Sequence, residues 1–247
     1  MIVTVANQKG GVGKTDLATN LASCLAKKGK KVLLVDMDPQ ANATSYLTGE
    51  KHKKTTSHLL LDGKVKIEDV AVPTKVENLY LVPGSSDLYA TQVELLNDVG
   101  MQFKLKKKLS GLSGFDYVLI DTPPSLGLLT VNALTASTHV MIPVQVNYLA
   151  LEGMEKLMKT IDRVKEEINP GLSLRGLVLT MYDKRNNLSP EIERIVREKF
   201  GDKVFRTQIP INVDLAMSPK NHEPIIVSSK DSRGAYAYLN LADEFME

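Results

Sequence analysis

Lys9-Gly10-Gly11-Val12-Gly13-Lys14-Thr15 lies between an apolar run, Ile2 to Ala6, and an amphipathic stretch, Thr15 to Lys28. The run reads as a buried strand and the stretch as a helix, so the glycines form a strand-to-helix turn. Glycines there let backbone N–H groups converge on phosphate oxygens that side chains would keep away. The helix that follows points its positive end at the same place. Lys14 is placed to reach β- and γ-phosphates, and the Thr15 hydroxyl to ligate Mg²⁺. Lys9, Gly10, Gly11, Val12, Gly13, Lys14 and Thr15 are therefore candidate phosphate contacts, with Asp16 beside them on the first helical turn.

Outward from this turn, short apolar runs alternate with longer amphipathic ones. Strands are expected at Ile2 to Ala6, Val32 to Val35, Leu79 to Val82, Tyr117 to Ile120, Val140 to Pro143, Leu174 to Thr180 and Val204 to Ile209. Helical spacing covers Thr15 to Lys28, Asp87 to Asn97, Met101 to Leu109, Leu126 to Ala136, Ala150 to Ile168, Ser189 to Phe200 and Ser232 to Phe245. Continuously apolar strands alternating with helices predict an α/β fold: a doubly wound, mostly parallel sheet covered on both faces. With no repeat or linker, residues 1–247 are expected to form a single domain built on the phosphate loop. Asn42 to Val76 is the least regular stretch, expected to be short helices and loops over one edge.

Two strands end in carboxylates. Asp36 and Asp38 close the second, and Tyr117-Val118-Leu119-Ile120-Asp121 has the form of a Walker B strand, with Asp121 toward Mg²⁺. A carboxylate at a strand's C-terminal edge, beside a phosphate loop, can orient an attacking water. Asp38 also precedes Pro39, and Asp-Pro opens turns; on spacing alone both readings of Asp38 stand. Pro123 and Pro124 stiffen the loop after Asp121 in a manner suited to sensing a γ-phosphate.

Composition excludes several classes. The single cysteine, Cys24, rules out a disulfide framework, a zinc ribbon and a four-thiolate cluster within one chain. No run approaches the length of a membrane span, and the first residues form a strand rather than a leader, so a cytoplasmic protein is expected. A net charge of +2 does not by itself imply a nucleic-acid partner. Lysine clusters at Lys27 to Lys31, Lys51 to Lys54 and Lys104 to Lys108 read as solvated helix ends and loops.

The loop with its extra lysine, Lys9, resembles that of the deviant Walker A ATPases, a group that includes ParA/Soj partition proteins, MinD and the nitrogenase iron protein. The flanks are similar to the ParA/Soj pattern: Ala6-Asn7-Gln8, Val35-Asp36-Met37-Asp38-Pro39-Gln40-Ala41-Asn42-Ala43-Thr44 and Asp121-Thr122-Pro123-Pro124-Ser125. So are Ala150-Leu151-Glu152-Gly153, Thr180-Met181-Tyr182-Asp183 and Ser232-Arg233-Gly234-Ala235. With no helix-turn-helix ahead of the loop, the chain looks like the short, Soj-like members. The resemblance implies an ATPase for chromosome or plasmid partition, using ATP and Mg²⁺. It assigns Lys9, Lys14 and Asp38 to catalysis, with Asp38 positioning water and Lys9 reaching a partner subunit's phosphates across an ATP-sandwiched homodimer. Thr15, Asp36 and Asp121 would serve Mg²⁺, and Met181, Pro210 and Asn212 would border the adenine.

The same resemblance implies that the dimer binds double-stranded DNA without sequence preference and that a ParB/Spo0J-like partner stimulates hydrolysis. Candidate DNA contacts are Lys184, Arg185, Lys203, Arg206, Lys220 and Lys230. Two positions depart from the family's habit. Asp16 stands where a polar residue is usual, and Asp214 stands, with Ile211, where Soj-like proteins commonly carry arginine. From Met181 to Glu247 there are ten Lys/Arg against eleven Asp/Glu. The alternatives are a nucleotide-dependent positioning scaffold that barely hydrolyses ATP and a MinD-like spatial regulator. The latter would need an amphipathic membrane helix, and Ala235 to Glu247 ends acidic, so no membrane partner is expected. The iron-protein reading fails on cysteine count.

Overall fold

The computed structural model describes residues 1–147 and 149–247, the side chains of 149–152 excepted. The quoted run Ala150-Leu151-Glu152 thus lies outside the residues whose side chains are described. Seven strands form one sheet: β1 (Ile2–Val5), β2 (Val32–Asp36), β3 (Val72–Pro73), β4 (Leu79–Val82), β5 (Tyr117–Asp121), β6 (His139–Gln145) and β7 (Ser173–Thr180). Their spatial order is β3-β4-β2-β5-β1-β6-β7. Every pairing is parallel except that of β3 with β4.

The central strands are buried on both sides because alternate residues feed different layers. Val3, Val5, Leu34, Leu81 and Leu119 pack on one face under α1 (Lys14–Lys27) and α11 (Arg233–Met246), meeting Leu17, Leu21, Leu25, Tyr238 and Phe245. Leu33, Val35, Val82 and Ile120 face the other way, against α3 (Thr56–Leu61), α4 (Leu88–Leu95), α5 (Lys104–Leu109) and α6 (Leu128–Ala136). The β6–β7 end of that face lies under α7 (Leu149–Glu167) and α8 (Leu188–Phe200). Each fully buried Leu or Phe contributes about 2 kcal/mol. Short helices α2 (Asn42–Thr48), α9 (Val213–Met217) and α10 (Ile225–Ser228) complete the chain.

One expected strand is absent and one unexpected strand is present. Val204 to Ile209 makes only isolated bridges near β7, Leu177 with Val204 and Tyr182 with Pro210. The Phe205 and Ile209 amides do donate to β7 carbonyls. Between them, the amides of Arg206 and Thr207 turn instead to the Glu244 carboxylate on α11, at 2.5 and 2.9 Å. The segment therefore follows the sheet edge without forming a ladder. At the other edge, β3 is two residues long and ends in proline, a pattern too short to read from periodicity.

Asn42 to Val76 is short helices and loops as expected, with α2, α3 and a turn of 3₁₀ helix at Ile67–Asp69, except that it ends in the unexpected strand β3. No helix among the described residues is long and apolar enough to cross a membrane. The apolar face of α11, from Ala235 to Phe245, is buried in the core.

Candidate active site

Sheet order decides which side chains meet. β1 runs between β5 and β6, and β5 separates it from β2. The turn leaving β1 therefore emerges beside Asp121 at the end of β5, which is in register with Asp36 at the end of β2. This is the C-terminal edge of the sheet near a topological switch point, where α/β proteins place ligands.

The turn is held open by its neighbours. Asn7 donates to the Pro143 carbonyl at 2.7 Å and accepts from the Lys9 amide at 3.0 Å. Thr180, at the end of β7, donates to the Val12 carbonyl at 2.9 Å. Gly13 has φ 84°, a left-handed conformation that a side chain would strain. It precedes α1, whose N-terminus carries no side-chain cap, so the first-turn N–H groups stay available to an anion. Lys14 is buried, and its ammonium donates to the Lys9 carbonyl at 3.0 Å. Burial lowers its pKa, while Asp121 and Asp38 act in the opposite direction.

Thr15 donates to Asp121 Oδ2 at 2.8 Å, whereas Asp121 Oδ1 is buried with no hydrogen-bond partner among the described residues. Burial, then the neighbouring Asp36 charge, pushes Asp121 well above the usual carboxylate range. An orphaned carboxylate oxygen beside a threonine hydroxyl is a donor pair suited to a cation. Among the described residues no group of three or more His, Cys, Asp or Glu forms a ready-made metal cage. The arrangement suits Mg²⁺, which takes one or two protein ligands and fills the rest of its shell with water and phosphate oxygens.

Asp36 is fully buried and occupied differently. Its Oδ1 accepts from the Asp38 amide at 3.1 Å, and its Oδ2 accepts from the Thr44 amide and hydroxyl at 2.9 and 2.7 Å. Burial lifts it to about 6 against these hydrogen bonds. It ties the loop after β2 to α2. Asp38 is buried too; its Oδ1 accepts from the Gln40 amide at 2.9 Å, and its Oδ2 has no hydrogen bond among the described residues. The turn geometry and an accepting oxygen free for water thus coexist in one side chain.

The remaining candidates fall around this centre. Lys9 extends its ammonium to Asn147 Oδ1 at 3.1 Å. Met181 follows β7 in a left-handed conformation (φ 53°), and Tyr182 then pairs with Ile209 and Ile211 through backbone hydrogen bonds, so Met181 and Pro210 lie on adjacent loops. Asn212 caps α9 by accepting from the Leu215 amide at 2.8 Å. Asp16 is partly buried with no hydrogen bond to its carboxylate, and burial raises it to about 6.

Two of the basic candidates are held by acids. Arg185 is clamped to Asp183 by two 2.9 Å contacts, which hold that carboxyl down at about 2. Arg206 pairs with Glu244 and Glu247. A groove of about 1370 Å³ beside α11 carries Lys184, Arg185, Arg206 and Arg233 against Asp183, Asp214, Asp231, Asp243, Glu244 and Glu247. Lys184, Lys203, Lys220 and Lys230 are exposed and have no ion-pair partner among the described residues. The supports Asn7, Thr44, Asn147 and Thr180 were missed as functional from sequence. Asn7, Thr44 and Thr180 sit within the quoted flanks, but Asn147 has no local signal.

Comparison with known proteins agrees with this geometry. A family model described as an AAA domain (AAA_31) matches residues 1–174. The sporulation initiation inhibitor protein Soj of Bacillus subtilis is 46% identical over 246 residues, covering 98% of this chain and 97% of Soj. The chromosome partitioning protein ParA of Caulobacter vibrioides is 42% identical, with 98% and 92% covered. A solved structure named cobyrinic acid a,c-diamide synthase from Mycobacterium smegmatis, with bound ADP and magnesium, superposes with a TM-score of 0.86 at 36% identity, covering 98% of this chain and 92% of that one. Over nearly its whole length, this chain belongs to the family of Soj and ParA chromosome-partitioning ATPases.

Proposed function

We propose that this chain hydrolyses ATP with Mg²⁺ and uses the cycle to partition DNA. The observation that carries the reading is Asp121, whose buried Oδ1 has no partner among the described residues while Thr15 holds Oδ2 under the phosphate loop. Thr15 and Asp121 hold the Mg²⁺ that comes with the nucleotide, and Asp36 supports them by fixing the adjoining loop. The ion supplies charge neutralisation at the phosphates. Lys14 exchanges its contact with the Lys9 carbonyl for phosphate oxygens, with the N–H groups of Gly10 to Thr15 around them. Asp38 orients water through its free Oδ2. Met181, Pro210 and Asn212 border the base.

Lys9 completes the site of a second copy. Leaving Asn147, it reaches the partner's phosphates and adds positive charge in the manner of an arginine finger. ATP thereby becomes part of a homodimer, and two subunits present their unpaired lysines, Lys184, Lys203, Lys220 and Lys230, to one duplex. A ParB-like protein stimulates turnover. The experiment is ATP-dependent dimerisation by size exclusion, together with phosphate release. Lys14→Ala abolishes binding, Lys9→Ala binds ATP without dimerising, and Asp38→Ala dimerises and stalls. An Asp38→Ala protein that turns over at the parental rate refutes the water-orienting role.

The acid-rich groove favours one alternative, a nucleotide-dependent positioning scaffold with weak hydrolysis, because Asp214 and the clamps on Arg185 and Arg206 lower the charge available to DNA. The burial of α11 argues against a MinD-like membrane regulator that uses that helix as its anchor, since its apolar face is already spent on the core.

A further inference from the structure

Tyr89 stands on the second residue of α4 and is 53% exposed, yet its hydroxyl is engaged: it accepts from Gln40 Nε2 at 2.7 Å. Gln40 lies in the turn that holds Asp38. Its amide donates to Asp38 Oδ1 at 2.9 Å, and the Ala41 amide donates to the Asp38 carbonyl at 2.8 Å. Ala41 has φ 51°, so this is a tightly wound turn of non-glycine residues. Two hydrogen bonds therefore run from α4 to the Asp38 carboxylate, one from the Gln40 side chain to Tyr89 and one from the Gln40 backbone N–H to Asp38.

The element that carries Tyr89 is firmly seated. Leu88, Thr91 and Leu95 are buried, and the Thr91 hydroxyl bonds to that of Ser57 at 2.7 Å and to the Asp87 carbonyl at 3.0 Å. On the same helix, Gln92 Oε1 comes within 3.6 Å of the Cβ position of Gly127, in the loop that follows Asp121 and its prolines. α4 thus lies beside the loop after β5 and bonds to the loop after β2, with Tyr89 as its contact with the one bearing Asp38. A carboxylate with one oxygen tied down and one free can rotate or tilt unless its turn is pinned from outside. Tyr89 supplies that pin.

We infer that Tyr89 is a positioning residue for hydrolysis: through Gln40 it sets the orientation of the Asp38 carboxylate whose free oxygen directs the attacking water. This rests on the water-orienting reading of Asp38. It concerns the chemical step and leaves nucleotide binding alone, because Tyr89 contacts neither the phosphate loop nor the Thr15–Asp121 pair.

The test is a double-mutant cycle on the full chain, reading kcat and KM for ATP at saturating Mg²⁺ together with thermal stability. Tyr89→Phe keeps the ring and removes the acceptor. It is expected to lower kcat about fivefold, the size of one ordinary hydrogen bond, with KM and melting temperature unchanged. Gln40→Ala is expected to lower kcat at least as much, and the double variant to match Gln40→Ala, since Tyr89 acts only through Gln40. Equal kcat for Tyr89→Phe and parent overturns the inference, as does a Tyr89→Phe loss that persists undiminished in the Gln40→Ala background. Asp38→Ala separates the two levels: if it is slow while Tyr89→Phe is normal, only this inference fails. If Asp38→Ala keeps the parental rate, the reading beneath it fails as well.

Discussion

Asp16, on the first turn of α1, carries a physical cost. Its carboxylate is partly buried, lacks a hydrogen bond and is lifted by burial from 3.8 to about 6. The unfolded chain gives up this proton first as pH rises. Stability attached to the protonated form is therefore present below pH 4 and is lost between pH 4 and about 6. A shift of this size corresponds to roughly 3 kcal/mol at most, and partial exposure reduces it to about 1 kcal/mol. Asp16→Asn is accordingly expected to gain about 1 kcal/mol over the parent at pH 8 and nothing at pH 4, measured by urea unfolding at both values. Asp36 and Asp121 titrate in both proteins, so the difference isolates Asp16. The same site bears on nucleotide affinity. Asp16→Thr removes a like charge beside the phosphate loop and is expected to tighten ATP binding by calorimetry; equal affinities would mean that the carboxylate points away from the phosphates.

At the scale of the element, what the sequence discloses depends on whether a residue acts through local pattern or through distant neighbours. β1, the glycine turn and α1 are contiguous, so Lys14 and Thr15 were legible from spacing alone. Asp121 was legible as the end of an apolar strand. Its free Oδ1, which carries the functional argument, depends on β5 lying beside β1 and could not be read from either strand. The strand expected over Val204 to Ile209 failed for the same reason: Glu244, some forty residues later, captures two amides that would have made the ladder. Asn147 holds Lys9 from β6's far end, a pairing with no sequence signature.

Gly84 shows how strictly the elements constrain the loop after β2. Its amide donates to Thr44 at 2.7 Å, and a Cβ on it would lie 2.8 Å from the Asp36 carboxyl carbon and 3.0 Å from both of its oxygens. Asp36 cannot yield, being fully buried and bonded through both oxygens. Gly84→Ala is expected to destabilise the protein by about 2 kcal/mol and to slow hydrolysis by shifting the Asp38 turn. Gly63→Ala, where a Cβ meets open space, is the control expected to stay within about 0.5 kcal/mol of the parent. Thermal melts and phosphate release on both variants decide it. A Gly84→Ala protein as stable as the control would mean that β4 and α2 separate easily.

For the molecule as a whole, the open question is whether a chain with net charge +2 can work on DNA. Phosphate contacts sum, so a modest patch would become effective in the proposed ATP-bound dimer, which would set two copies on one duplex. Lys184, Lys203, Lys220 and Lys230 have no ion-pair partner among the described residues and can contribute, whereas Arg185 and Arg206 are held by acids. Binding is therefore expected only in the ATP form, without sequence preference, and with a salt slope no steeper than about −7, since four lysines on each of two copies neutralise at most eight phosphates. Asp214→Arg replaces an acid on the groove with a base and is expected to strengthen binding and steepen that slope. Arg185→Glu is expected to weaken it, by reversing the charge and leaving Asp183 beside a like-charged group. Anisotropy titrations with ATP at two salt concentrations measure both quantities. If the parent dimerises with ATP yet ignores duplex DNA even at low salt, while Asp214→Arg binds, the acidic groove has withdrawn this chain from direct DNA attachment and the positioning-scaffold reading replaces partition.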